Sequence, residues 1–408
     1  MTGARSEIMV LDEPFVRDVA IVGGCGRVGL PLGLALAAGG LSVSLYDLNE
    51  SAVALVNDGV MPFAEEGASD LLDALVRTGR ISASTDPAGV SGAENIIVVV
   101  GTPVDEHLNP DLTAVPRAVE QCAGHLRDGQ LLVLRSTVHP GVTALTEKLL
   151  ARLGRRVDVA FCPERIAEGR ALTELSDLPQ IVAARHDRAV QRAEKLFRHL
   201  TDRVVVLTPE EAELAKLFTN TWRYVKFATA NQFWMMANDA GLNYQRIRDA
   251  VTYRYPRAAD LPMPGFAAGP CLFKDTMQLA AFHRNNFGLG HAAMLINEGL
   301  PLYLVSRLEA RYDLARMRIG ILGMAFKGGS DDSRESLAYK LRKILLVKAG
   351  AVTCTDPRVP DERLLGLDEV LAGSDLLIIG APHPEYADLR TDLPLVDMWG
   401  LTGREPLV

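Results

Sequence analysis

Two thirds of the way along the chain, "GPCLFKD" places Cys271 four residues before Asp275. If CLFKD opens a helix, thiol and carboxylate share one face and can serve one substrate atom. A helix N-terminus favours the thiolate, and the small residues Ala267, Ala268 and Gly269 leave room for a ligand to approach. Free cysteine is also among the most buried residue types, so from this segment alone a packed core thiol is the alternative. Two more pairs repeat the spacing, Lys216 with Asn220 in "AKLFTNTW" and Glu164 with Glu168 in "CPERIAEG". Lys216 and Asn220 offer a cation and an amide donor to a developing oxyanion; a surface salt bridge or solvated charge is the alternative for each pair.

A second set of residues suits a phosphate. Gly24, Gly26 and Gly29 form GxGxxG in "DVAIVGGCGRVGLPLGLALAAGG", between a β-branched strand and an Ala/Leu-rich helix. Glycines there permit a tight turn and close backbone approach to a pyrophosphate at the helix N-terminus. Asp47 ends the next strand, "LSVSLYDLN", where it can accept from both ribose hydroxyls. No arginine directly follows to hold a 2'-phosphate, so NAD is expected over NADP. Cys25 reads as a small filler.

The elements that position these residues follow from periodicity. "NIIVVVG", "LLVLRSTV" and "VDVAFCP" alternate with helical stretches, the pattern of a parallel sheet covered on both faces. "TPEEAELAKLFTNTWRYVKFATANQFWMMANDAG" begins with Thr208 as N-cap, Pro209 at the first helical position and Glu211 three residues after the cap, and Gly241 supplies its stop. This connector helix of about 30 residues is long enough to bridge domains. "MRIGILGMAFK", "AVTCTDP" and "SDLLIIGAP" predict a second parallel sheet. The expected fold is α/β: two Rossmann-like, doubly wound parallel-sheet domains, joined by the connector helix and a helical central region. The expected domains are 1–207, 208–312 and 313–408.

Of the 408 residues, 43 are Lys or Arg and 51 are Asp or Glu, a formal net charge of -8. That balance gives no general reason to bind nucleic acid or anionic lipid. Cys25, Cys122, Cys162, Cys271 and Cys354 are scattered without a CxxC pair, which argues against a disulfide framework or a metal site and fits a reducing cytoplasm. The opening "MTGARSEIMVLDEPFVRD" is too short of apolar length for a signal peptide or a membrane span.

Eight segments in order, "GGCGRVGLPL", "VVGTPVDEHLNPDL", "RSTVHPG", "FCPERIAEG", "AKLFTNTWRYV", "GPCLFKD", "GILGMAFKGGSDDSRES" and "TDPRV", resemble the motifs of the NAD-dependent nucleotide-sugar 6-dehydrogenases, the family typified by UDP-glucose 6-dehydrogenase. The resemblance covers nearly the whole chain. It implies a homodimer built on the long helix, and NAD held at Gly24, Gly26, Arg27, Val28, Gly29, Asp47, Thr102 and Thr137. It implies that Cys271 captures an aldehyde as a thiohemiacetal and then carries a thioester. Lys216 and Asn220 match the positions that stabilise the C6 oxyanion, and Asp275 matches the acid that orients water and supports proton transfer. Glu164 resembles the residue implicated in thioester hydrolysis, with Thr137 and Glu168 in the supporting water and proton network. Substrate contacts are implied for Glu164, Lys216, Asn220, Gly269, Lys327 and Arg334, the last two being cations suited to a diphosphate. Arg254 and Arg257 compete for an arginine lent across the dimer.

Departures bear on the sugar. Many relatives carry a glycine pair before the cysteine, where this chain has Ala267, Ala268, Gly269 and Pro270. "CPER" leans towards enzymes of N-acetylhexosamines; Glu168-Gly169 and the "FKD" after Cys271 lean towards glucose enzymes. Gln232 replaces a frequent glutamate after Asn231. The reading is four-electron oxidation of UDP-glucose to UDP-glucuronate. UDP-N-acetylhexosamine (ManNAc or GlcNAc) and TDP- or GDP-hexose are the alternatives, and a catalytically inactive NAD-binding regulatory protein is the alternative of a different class.

Overall fold

The structure is a computed structural model that describes residues 14–266 and 269–403; Ala267, Ala268 and most of the N-terminal extension lie outside them. The chain divides into two compact units, Met1–Thr102 with Leu112–Glu213, and Pro103–Asp111 with Leu214–Val408.

The first unit is built on eight strands: β1 (Arg17–Val22), β2 (Val43–Tyr46), β3 (Ile81–Ser84), β4 (Ala93–Val98), β5 (Leu131–Leu134), β6 (Asp158–Phe161), β7 (Gln180–Ala184) and β8 (Val204–Leu207). Their spatial order is β3-β2-β1-β4-β5-β6-β7-β8. The first six follow the dinucleotide-binding order, whose switch point lies between β1 and β4. Leu131–Leu134 is buried at every residue, as a strand covered on both faces must be. Val19, Ile21, Leu30, Leu34 and Leu45 fill the core beneath the glycine turn.

The sheet departs from the fully parallel expectation at one place, where β7 runs antiparallel to β6 with Ala160 opposite Ala184. The segment between them is tied down. Glu164 N donates to Arg135 O, and Gly169 N and Ala171 N donate to Glu65. Its one helix, Ala171–Asp177, has seven residues, about 10 Å of rise, which is too short to carry the chain back across the sheet.

The connector helix runs over Pro209–Asp239, and the boundary between the units falls inside it. Its start is the anticipated capping box: Thr208 N and Oγ1 each donate to Glu211 Oε2 at 2.8 Å, and Glu211 N returns a bond to Thr208 Oγ1 at 3.4 Å. Gly241 ends it at φ +68°. Helices Tyr244–Thr252, Leu272–Phe282 and Gly288–Glu309 follow. Then come β9 (Arg318–Leu322), β10 (Ala351–Thr355), β11 (Leu376–Ile379) and β12 (Leu395–Val396), in the order β10-β9-β11-β12 and parallel throughout. β12 has two residues, too few to leave a periodic signal in the sequence. Leu300, Leu304 and Leu308 of helix Gly288–Glu309 pack with Ile319, Ile321, Leu341 and Leu345, so the helical stretch and the second sheet share a core. Among the described residues no helix is long and apolar enough to cross a membrane.

Candidate active site

In the first unit the glycine turn is shaped by close approach. A Cβ on Gly24 would stand 2.7 Å from the Leu45 side chain, and one on Gly29 would stand 2.3 Å from Gly23 O. These glycines let the turn and helix press together, while Gly26 has nothing nearer than 3.6 Å. Helix Gly29–Ala38 carries no side-chain cap and no acid in its first turn, so no side chain competes with an anion for its N–H groups. Asp47 Oδ2 accepts from Cys25 N and its Oδ1 from Asn49 N, both at 3.0 Å, which fixes the carboxylate at the end of β2 beside the turn. The Arg27 guanidinium stacks 5.0 Å from the Phe63 ring centroid. Turn, helix start and acid together fit a dinucleotide.

Across the switch point, Thr102 Oγ1 donates to Thr137 O at 2.6 Å, and Ser136 Oγ exchanges two 2.8 Å bonds with the backbone of Val100. Glu213, buried on the connector helix, accepts from Gly141 N, Thr143 N and Thr143 Oγ1 at 2.7, 2.8 and 2.6 Å. It thereby caps helix Val142–Arg152 and holds the RSTVHPG segment that carries Thr137.

Glu164 is occupied by its own surroundings. Its Oε2 accepts from Arg135 Nη2 at 2.5 Å, and its Oε1 from Arg165 N at 2.6 Å and Ile166 N at 3.0 Å. Arg135 is buried, donates to Cys162 O and Gln180 Oε1, and stacks 4.6 Å from the Phe197 ring. Such a desolvated guanidinium pairs with a carboxylate and fixes its orientation. Sequence reasoning passed over Arg135, whose signal is one charge inside the apolar run "LLVLRSTV". Glu168 is half-buried, beside the loop that Glu65 fastens.

In the second unit, Cys271 is the N-cap residue of helix Leu272–Phe282, and alone of the five cysteines it is exposed. Burial pushes the others up, Cys122 and Cys354 to about 11, Cys162 to about 12, and Cys25, with the nearby Asp47 charge adding to the effect, also to about 12. They are packing thiols. One turn past Cys271, Asp275 is fully buried. It accepts from Asn220 Nδ2 at 2.6 Å on one oxygen and from Lys274 Nζ at 2.6 Å on the other. Lys216, also buried, precedes Asn220 by one turn of the connector helix. The fold therefore brings together Asn220 and Asp275, which lie 55 positions apart. It adds Lys274, whose pairing with Asp275 the motif GPCLFKD does not by itself signal.

The cysteine loop is anchored on both sides. Asn231, wholly buried, accepts from Gly265 N at 2.8 Å, donates to Gly265 O at 3.0 Å, and donates to Asn297 Oδ1 at 2.9 Å. Gly269 sits at φ +101°, where a Cβ would come 2.5 Å from the Phe326 ring. Asn231 is a further positioning residue that sequence reasoning missed. Lys327 lies with its ammonium 5.7 Å from that same Phe326 ring, and Arg334 forks onto the buried Asp332 with bonds of 2.6 to 3.0 Å. Arg254, at φ +50°, stacks on Tyr253, and Arg257 donates to Tyr255 OH. Among the described residues no group of three or more His, Cys, Asp or Glu could hold a metal ion.

Residues 17–201 match the NAD binding domain of the UDP-glucose/GDP-mannose dehydrogenase family, 210–298 its central domain and 320–401 its UDP binding domain. The chain belongs to the UDP-glucose/GDP-mannose dehydrogenase family. It is similar to a UDP-N-acetyl-D-mannosamine dehydrogenase of Pyrococcus horikoshii, 33% identical over 380 residues that cover 90% of each chain. A solved structure of a UDP-D-ManNAc dehydrogenase from Pyrococcus horikoshii superposes with TM-score 0.86 at 31% identity, covering 91% of each chain. A UDP-glucose dehydrogenase from Pyrobaculum islandicum superposes with TM-score 0.85 at 27% identity, covering 93% of this chain and 94% of its own. As a member of the family, the chain is an NAD-dependent nucleotide-sugar dehydrogenase. Its glycine turn falls in the NAD binding domain, Lys216, Asn220, Cys271 and Asp275 in the central domain, and Lys327 and Arg334 in the UDP binding domain.

Proposed function

We propose that this dehydrogenase oxidises the C6 alcohol of a UDP-N-acetylhexosamine, with UDP-N-acetyl-D-mannosamine as the leading substrate, to the uronate. The observation that carries the chemistry is Cys271: one exposed thiol at a helix start, one turn from Asp275, which is buried with Asn220 and paired with Lys274. The sugar rests on the Pyrococcus horikoshii relatives named above and on the "CPER" segment, and it replaces the UDP-glucose reading. UDP-glucose stays as the second reading because of the Pyrobaculum islandicum structure.

Bound NAD supplies the hydride acceptor for both two-electron oxidations. Within the chain, Lys216 and Asn220 stabilise negative charge on the C6 oxygen as the alcohol loses its proton and hydride. The Cys271 thiolate adds to the resulting aldehyde carbon to give a thiohemiacetal, and loss of a second hydride leaves a thioester. Water attacks that carbonyl, the C–S bond breaks, and the uronate leaves with the thiolate restored. Asp275, paired with Lys274 and oriented by Asn220, supports the proton movements around the sulfur. Glu164, with both oxygens engaged, positions the loop that carries Glu168, and we assign Glu168 and Thr137 to the water and proton network. Asp47 at the ribose position favours NAD over NADP.

Phe218, Trp222, Phe233 and Met236 lie exposed on the connector helix. Their spacing places them along one stripe, and we propose that this stripe builds a homodimer.

The deciding experiment supplies NAD with UDP-N-acetyl-D-mannosamine, UDP-N-acetylglucosamine, UDP-glucose and GDP-mannose in parallel, following NADH and identifying products by mass. Two NADH per uronate from UDP-N-acetyl-D-mannosamine is expected. Turnover of UDP-glucose alone would return the reading to glucose.

A further inference from the structure

The switch point of the second sheet lies between β9 and β11, and the loops leaving those two strands are fastened to each other. A Cβ on Gly323 would stand 2.5 Å from Ala381 O, and one on Gly328 would stand 2.1 Å from Pro382 O, so the backbones lie directly against one another. His383, wholly buried, closes the contact. Its Nδ1 accepts from Gly329 N at 3.2 Å, and its Nε2 lies 3.0 Å from Asp356 Oδ2. Since Nδ1 receives a backbone N–H, the ring proton sits on Nε2 and is donated to the carboxylate.

Asp356 follows β10 as Asp47 follows β2, the acid at the end of the second strand of its sheet. Its employment differs. Oδ2 also accepts from Met324 N at 2.6 Å and Ala325 N at 3.0 Å, while Oδ1 accepts from Arg358 N at 2.8 Å and Val359 N at 2.9 Å. The carboxylate has no exposed surface. It is a strut between the turn after β9, its own turn and the β11 loop, with no face left for a ribose.

We infer that His383 and Asp356 are positioning residues for the nucleotide half of the substrate. Together they fix the backbone at Met324, Ala325 and Gly329, the points between which Lys327 is displayed. Phe326 N donates to Asp332 O at 2.9 Å and Asp332 grips Arg334, so the second cation is set from the same frame. The inference rests on the proposal that Lys327 and Arg334 meet the diphosphate. It adds that the acceptor at His383 Nδ1 sets their placement.

Three variants separate the two halves of the imidazole. His383→Asn puts an amide oxygen near the Nδ1 position and keeps the bond from Gly329; His383→Gln reaches the Nε2 position and keeps only Asp356; His383→Ala keeps neither. UDP binding by titration calorimetry and KM for the nucleotide sugar are expected to worsen about tenfold in the Ala and Gln variants and to stay within about twofold of the parent in the Asn variant. KM for NAD is expected to stay level in all three. Equal losses in the Asn and Gln variants, equal drift in KM for NAD, or parent-like UDP binding in the Gln variant would overturn the inference. If the Ala variant does not fold, the Asn and Gln comparison still decides. Lys327→Ala and Arg334→Ala test the proposal beneath: if both bind UDP as the parent does, the loop is not the nucleotide site and the clamp loses its role. If they weaken binding while His383→Gln does not, the clamp alone fails.

Discussion

At the scale of single residues, the contrast among the five cysteines carries the argument. Four are buried thiols, and Cys271 is exposed at a helix start. Cys271→Ser is expected to fold and to bind NAD as the parent does, yet to yield no uronate at the parent rate, because serine is a poorer nucleophile and its ester is less reactive than a thioester. Product mass and NAD calorimetry on the same preparation check this, and full oxidation by the serine variant would remove the covalent route. Asp356 makes a prediction of a different kind. Burial raises the pKa of its carboxyl, but the hydrogen bond from His383, with the N–H groups of Val359 and Arg358, outweighs that and holds it at about 2. A folded value below the ordinary one contributes stability above pH about 4, and this is lost as pH falls towards about 2. Asp356→Asn should therefore be less stable than the parent by about 2 kcal/mol at neutral pH, with the gap closing across that acid window in denaturant titrations.

At the scale of elements, the cysteine loop depends on what flanks it. Asn231, itself bonded to Asn297, holds Gly265, and Phe326 fills the space that a side chain at residue 269 would take. Gly269→Ala combines a left-handed backbone with a 2.5 Å collision, so a loss of about 1–3 kcal/mol is expected. The fall in nucleotide-sugar turnover should exceed any change in NAD affinity. A variant with parent turnover and parent melting temperature would show that the loop relaxes freely.

At the scale of the whole molecule, Phe218, Trp222, Phe233 and Met236 form an exposed apolar stripe, the kind of surface on which association is proposed. Sedimentation equilibrium is expected to show a dimer for the parent. Trp222→Glu, which sets a charge in that stripe, is expected to shift it towards monomer at micromolar concentration. A monomeric parent would refute the dimer proposal.

The α/β class, the glycine turn, the capping box at Thr208 and the placement of Cys271 at a helix start were legible in the sequence, because each is encoded by neighbours within a few residues: alternation, helical spacing, a cap three residues from its acid. What spans long separations was not. Arg135 meets Glu164 and Gln180, Asn231 meets Gly265 and Asn297, and His383 meets Gly329 and Asp356 across 27 to 66 positions. In a single sequence such residues are isolated polar letters in apolar runs. The reversal of β7 also escaped, since direction within a sheet depends on where the preceding loop is tied and not on the strand's own composition. Local chemistry thus named the candidate groups, whereas only the tertiary structure decided how they are held: a buried polar atom must find its partner, and the fold chooses which one.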